Sequence, residues 1–388
     1  MKKHISISKI KFFLDVLRVL ICIPFGCLIY LIRDIYIVCE RGTDARDNGY
    51  HMFKYMIEHH PQKKVYYIID KKSVDYHKVA ELGRVIDYKS WKHVLYFIAA
   101  RKKISSHYLG YAPGVPYLFL KFQRYLKIPG KHIFLQHGVI KDDLVGLHAD
   151  QAPMDLFVCG AKPEYEFVKN VFGHPEGVVC YTGLARYDNL HGYATTRDIL
   201  IMPTWRMYLS DLSNEDFIRS DYYIHWNEVL KNSRLSAMLQ KHNLRLVFYP
   251  HYEMQKFVDC FKMENENIVI ANFNDYDVQK LLMDSKLLIT DYSSVFFDFA
   301  YMKKPCIYYQ FDKNKFYSQH YKQGYFDYSK NGFGEVATDI EELLEALKKN
   351  LDLNFSLETN YLERIDHFFE LHDTHNCERI FEAVEALK

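Results

Sequence analysis

Absences narrow the field first. The 8 cysteines are scattered and form no C-x-x-C pair or Cys/His ligand spacing. They read as reduced, mostly buried thiols of a cytosolic protein, not as a metal site or a disulfide framework. No Gly-rich Walker loop or G-x-G-x-x-G loop is present, which removes the familiar phosphate-binding fingerprints. Net charge is only +1, so no global basic field points to nucleic acid. No low-complexity tract occurs, and the N-terminus carries no small-residue cleavage site of the secretory type. What is present is a chain of 388 residues, 49% hydrophobic and 16% aromatic. That is long enough for two ordinary domains and apolar enough to core both.

The N-terminus is basic, with Lys2, Lys3, Lys9, Lys11 and Arg18, and leads into an apolar run from Val19 to Ile32. Pro24 and Gly26 interrupt that run. It falls short of the roughly 20 residues that span a bilayer. The flanking cations and Phe12, Phe13, Phe25, Tyr30 and Tyr36 predict a segment lying in the membrane interface. A buried helix of the first domain is the competing reading.

A dense polar stretch, Glu40 to Tyr50, follows. Short apolar runs then alternate with helical patterns: strands at 64–70, 84–87, 103–107, 132–136, 155–159 and 177–182, with helices at 52–58 and 91–100. This is the pattern of a parallel sheet. A polar, apolar-poor stretch from about His191 to Arg197 reads as a linker. The pattern then restarts, with strands at 198–202, 244–249, 267–271, 287–289 and 306–310. Helices are expected at 223–240, 277–283, 295–302 and 340–350 and near the end of the chain.

Open α/β sheets place ligands at the carboxyl ends of their strands. Gln136-His137-Gly138 sits at one such end. His137 is placed to act as a general base near neutral pH, and Gly138 lets a substrate approach closely. Arg206 and His251 also lie just beyond predicted strand ends. The stretch Leu287–Asp298 reads as strand, polar turn, helix. Ser293 and Ser294 at the helix start suit a phosphate. Asp298, one turn on, suits a sugar hydroxyl. The plainer alternative is a helix cap followed by a solvated aspartate.

Taken in order, Glu40–Gly49 with its Asp-Asn-Gly ending, Gln136–Lys141, Pro203-Thr204-Trp205-Arg206, Pro250-His251 and Thr290–Ser294 with Asp298 resemble the CDP-glycerol glycerophosphotransferase family. The resemblance covers nearly the whole chain. It implies a GT-B-like α/β fold: two Rossmann-like domains facing a cleft, with an N-terminal membrane-associating helical segment. The expected divisions are 1–39 for that segment, 40–192 for an acceptor domain and 193–388 for a nucleotide-donor domain, with the last helices able to return to the first domain.

The same resemblance implies transfer of glycerol phosphate from CDP-glycerol to a hydroxyl of a lipid-linked acceptor, with release of CMP, in teichoic acid or capsular polymer synthesis. The site would be peripheral, on the cytoplasmic face of a bacterial membrane, with no metal or other cofactor. His137 would be the base and His251 would steady the departing pyrophosphate. Gly138, Lys141, Arg186, Thr204, Arg206, Ser293, Ser294 and Asp298 would hold the donor, and Asp44, Asp47 and Asn48 would face the acceptor. Where family members often carry Arg-x-His, this chain has Tyr249-Pro250-His251. A ribitol-phosphate transferase using CDP-ribitol, or a glycosyltransferase using a nucleotide sugar, would use the same architecture.

Overall fold

A computed structural model describes residues 2–114, 128–273, 275–319 and 322–388, with side chains from residue 13 onward. The expected cationic cluster of Lys2, Lys3, Lys9 and Lys11, with Phe12, lies outside the described side chains.

Two fully parallel sheets carry the chain. The first contains β1 (Ile35–Cys39), β2 (Lys64–Ile69), β3 (Val85–Asp87), β4 (Lys102–Ser105), β5 (Lys131–Phe134), β6 (Leu156–Cys159) and β7 (Val179–Tyr181), in the order 3-2-1-4-5-6-7. The second contains β8 (Asp198–Ile201), β9 (Arg245–Phe248), β10 (Ile268–Ile270), β11 (Ser285–Thr290), β12 (Cys306–Tyr309) and β13 (Gly334–Ala337), in the order 10-9-8-11-12-13. Each begins with the strand order of a dinucleotide-binding fold, reversing direction beside its first strand. Central strands such as Ile35–Cys39 and Leu156–Cys159 are buried at every position. Helices cover both sheet faces, so these strands read as continuous apolar runs without alternation.

Three differences from the sequence expectation have simple causes. First, β1 lies ahead of residue 40, inside the stretch assigned to the membrane segment. Its IYIVC run continues an apolar helix, and periodicity alone does not separate the two. Second, the helix expected over 223–240 is two, Asp221–Lys231 and Ser233–Lys241. Asn232 divides them, its side chain accepting from Arg234 N and Leu235 N to cap the second. Third, the N-terminal helix runs Lys2–Ile32 through Pro24. Its portion Phe13–Ile32 is 20 residues of mean hydropathy 2.1. This corrects the reading that the apolar run is too short to span: Asp15 and Arg18 break the run in sequence without breaking the helix.

One face of this N-terminal helix docks on helix Trp91–Ala99. A Cβ on Gly26 would meet Ile98 Cγ2 at 2.6 Å, so glycine is what allows the close crossing. Arg18 donates to the Lys89 carbonyl at 2.7 Å. The opposite face leaves Leu20, Phe25, Leu28 and Leu31 exposed.

The chain passes from the first sheet to the second between Tyr181 and Asp198. It returns at the end: helix Asn376–Ala386 packs on the turn Ala185–Asn189 and on helix Asn48–His59. Asp188 there accepts from the backbone of Asn376 and Cys377, each at 2.8 Å.

Candidate active site

The carboxyl ends of both sheets face one cleft of about 190 Å³. The first domain lines it with Arg41, Asp44, Asp47, His107, His137 and Arg186; the second adds Tyr249, His251, Tyr252, Gln279 and Asp298.

His137 is held by a braced turn after β5. Gln136 adopts a left-handed conformation, φ 61°, which is uncommon for a residue with a Cβ. Its side chain donates to the Val158 carbonyl and to Glu164 Oε1. Its own carbonyl accepts from Asn48 Nδ2 at 2.8 Å. Glu164 is buried and also accepts from Ile140 N and Gly160 N. Burial pushes its carboxyl up to about 7, against the pull of those donors. The turn is thereby fixed from both sides, and the His137 ring projects into the cleft.

That ring lies parallel to His107, with centroids 4.6 Å apart and planes 7° apart. The residue is exposed to the cleft, with protein packed on the inner side of its ring, where it stacks on His107. This enclosure lowers its pKa; Arg41 and Arg186 act in the same sense, and Asp47 opposes. At neutral pH the imidazole is therefore uncharged, the form a general base needs.

Gly138 meets the second domain. A Cβ there would lie 2.7 Å from Ser294 Oγ. The His-Gly turn and the Ser-Ser turn thus touch where the domains meet, beside the cleft that His137 lines. Ser294 occupies the cap position of helix Val295–Tyr301, yet its side chain makes no capping bond. Among the described residues neither Ser293 nor Ser294 spends its hydroxyl on the protein, so both stay available.

Other expected donor residues are committed elsewhere. Arg186 gives Nε and Nη2 to the two oxygens of Asp298, at 2.6 and 2.8 Å, and Nη1 to Asp47 at 2.8 Å. Asp298 lines the cleft, but both of its oxygens are bound by this guanidinium. Arg206 is fully buried between Asp291 at 2.9 Å and Asp312 at 2.8 Å. It sits over the rings of Tyr292 and Phe316 and does not line the cleft. Thr204 is buried, and its N–H donates to Asp291. The motif at 203–206 is therefore clipped to the motif at 290–294, and its arginine supports the Ser-Ser turn from behind. Lys141 is buried in an ion pair with Asp142, lies against Tyr328 and is not at the cleft. The sequence put Arg206 and Lys141 against donor phosphate; the structure places neither at the cleft. A long cation next to an acidic neighbour is used locally once both are buried.

On the acceptor side Asp44 lines the cleft. Asp47 caps helix Asn48–His59 besides pairing with Arg186. Asn48 is buried and bonds backbone, including Arg186 N at 3.0 Å, so it braces the site without facing it. Glu40, buried behind this loop, accepts from the backbone of Arg46, Asp47 and Tyr50, each at 2.9 Å. His251 stacks on Trp205 at 6.1 Å and lines the cleft opposite His137.

Sequence reasoning passed over His107 and Arg41. His107 ends the KISSH run, so the strand-end rule that selected His137 applies to it equally. The sequence contains one spelling of the Asp-x-Asp type that can hold a metal, Asp275-Tyr276-Asp277. There Asp277 caps helix Val278–Asp284 and Asp275 accepts from Asn272. Among the described residues no three His, Cys, Asp or Glu side chains are grouped to hold a metal ion.

Known proteins resemble this chain in sequence or in fold. The minor teichoic acid biosynthesis protein GgaB of Bacillus subtilis (strain 168) is 34% identical over 368 residues, covering 92% of this chain and 40% of that protein. A teichoic acid poly(glycerol phosphate) polymerase of Bacillus spizizenii is 29% identical over 187 residues, 48% of this chain and 44% of its own. The chain thus spans less than half the length of these relatives. The wall teichoic acid polymerase TagF shares the two-domain fold with a TM-score of 0.65 at 16% identity, covering 91% of this chain and 88% of that one. Residues 33–386 match the family described as CDP-Glycerol:Poly(glycerophosphate) glycerophosphotransferase from the first strand to the last helix, and the chain belongs to that family.

Proposed function

We propose that the chain transfers glycerol phosphate from CDP-glycerol to a hydroxyl of a lipid-linked acceptor, releasing CMP, in teichoic acid synthesis at the cytoplasmic face of the membrane. The observation that carries this reading is the meeting of two turns: His137-Gly138 of one domain against Ser293-Ser294 of the other, with a Cβ on Gly138 only 2.7 Å from Ser294 Oγ. The base lines the interdomain cleft, and two uncommitted hydroxyl donors stand beside it where the two domains touch.

In this reading His137 takes the proton from the acceptor hydroxyl. The freed oxygen attacks the phosphorus that carries glycerol, and the bond from that phosphorus to the oxygen it shares with CMP breaks. CMP leaves, with His251 beside the departing phosphate. Ser293 and Ser294 donate to the donor's phosphate oxygens. Fixed donors in a cleft stabilise developing charge without having to reorganise. The exposed Leu20, Phe25, Leu28 and Leu31 supply an apolar face for a lipid surface that holds the acceptor.

The test is CMP release from CDP-glycerol and, in parallel, CDP-ribitol, using membranes bearing lipid-linked acceptor. Release is expected with CDP-glycerol, falling by roughly 10²–10⁴-fold in His137→Ala with the fold intact by circular dichroism. Near-normal turnover in that variant removes the base assignment. Release with CDP-ribitol alone changes the polyol, and release with neither donor removes the reaction.

A further inference from the structure

We infer that Arg41 is a substrate-phosphate clamp of this cleft and that His107 is the positioning residue that aims it. The inference rests on the phosphate-transfer reading above.

Three arginines line the cleft, and two are already neutralised. Arg186 is bound to Asp298 and Asp47. Arg46 places Nε on both oxygens of Asp75 and Nη1 on the carbonyls of Phe273 and Tyr276. Arg41 differs. Among the described residues it forms no ion pair, and its only side-chain hydrogen bond runs from Nε to His107 Nε2 at 2.9 Å. Its two terminal nitrogens carry donors with no protein acceptor. The side chain is exposed, lines the cleft and reaches toward the facing domain, where its guanidinium lies 5.6 Å from the ring of Tyr252, the residue after His251.

The aiming is chemical as well as steric. To accept from Arg41, Nε2 of His107 must be unprotonated, so the proton of the neutral ring is on Nδ1. Nδ1 is buried and has no partner. The same ring is stacked on His137. His107 therefore holds the inner nitrogen of the guanidinium and leaves the outer fork pointing to open cleft, next to the base. A guanidinium fork matches two oxygens of a phosphate, and an uncommitted one has charge to offer. The ligand is a phosphate or phosphodiester of a substrate, either the donor's pyrophosphate or a phosphate of the acceptor.

Calorimetric titration of the full chain with three probes distinguishes the two sources: CDP-glycerol, sn-glycerol 3-phosphate and cytidine. Arg41→Gln is expected to weaken one phosphate-bearing probe by roughly 10- to 100-fold while cytidine affinity stays constant. Loss on CDP-glycerol assigns the clamp to the donor; loss on glycerol 3-phosphate assigns it to the acceptor. Arg41→Lys, which keeps the charge, should recover part of the loss. His107→Phe keeps a ring against His137 but removes the acceptor, and should weaken the same probe by a smaller factor. His107→Gln restores an acceptor oxygen and should reverse that effect, which a purely structural role for the ring would not produce. Equal affinities of wild type and Arg41→Gln for both phosphate probes overturn the clamp and leave the His137 reaction standing. Failure of wild type to bind either phosphate probe overturns both.

Discussion

His137 owes its capacity as a base to its neighbours. Enclosure, Arg41 and Arg186 lower its pKa, while Asp47 raises it, and the first influence is the largest. The sign follows directly. A base must be unprotonated, and a pKa below the ordinary histidine value of about 6.5 keeps it so down to lower pH. In a pH profile of kcat/KM for CMP release, the acid limb is expected below 6.5, with a plateau above it. A midpoint at or above 6.5 would contradict this environment. The same residue was legible in the sequence, because a histidine followed by glycine at a strand end needs only local pattern to be noticed. Arg206 looked equally good by that rule and is fully buried. Whether a strand-end cation faces ligand or packs inward depends on carboxylates from distant segments, here Asp291 and Asp312.

The helix Lys2–Ile32 carries two faces with different fates. Val19 and Cys22 are buried against the first domain; Phe25 and Leu28 are 62% and 58% exposed. Exposed apolar residues in such a row suit a lipid surface. Phe25→Glu combined with Leu28→Glu leaves the docked face untouched and is expected to abolish flotation with liposomes of anionic lipid. Flotation equal to wild type would remove the helix from membrane attachment. Other elements show the same division of labour between local and tertiary causes. Helix Trp91–Ala99 begins where Ser90 accepts from His93 N, a cap written in adjacent residues. The strand β1 could not be separated from the preceding apolar helix in one dimension, since the β4 and β2 partners that define it come from residues 102–105 and 64–67.

At the scale of the whole molecule, the two domains are tied by the Arg186–Asp298 pair, with both side chains nearly buried at 9% and 4% exposure. Removing one partner of such a pair leaves an uncompensated charge, at a cost of about 3–5 kcal/mol. Arg186→Ala, which leaves the Asp298 carboxylate without its counter-charge, is therefore expected to lower stability to urea by that amount, and a change below about 1 kcal/mol would mean the pair does not hold the domains. Arg46, reaching from Asp75 to the backbone carbonyls of Phe273 and Tyr276, adds a second tie.

The sequence by itself determined the two parallel α/β halves, the strand-end position of His137 and His251 and the ordered motifs. All of these depend on residues within a few positions of one another. Only the tertiary structure decided which cations stay free. Arg186 and Arg206 are neutralised by carboxylates more than a hundred and more than eighty residues away, respectively, and Arg41 is left uncommitted. The reason is electrostatic: a buried charge must find an opposite charge, and the partner's distance in space is not written in its distance along the chain.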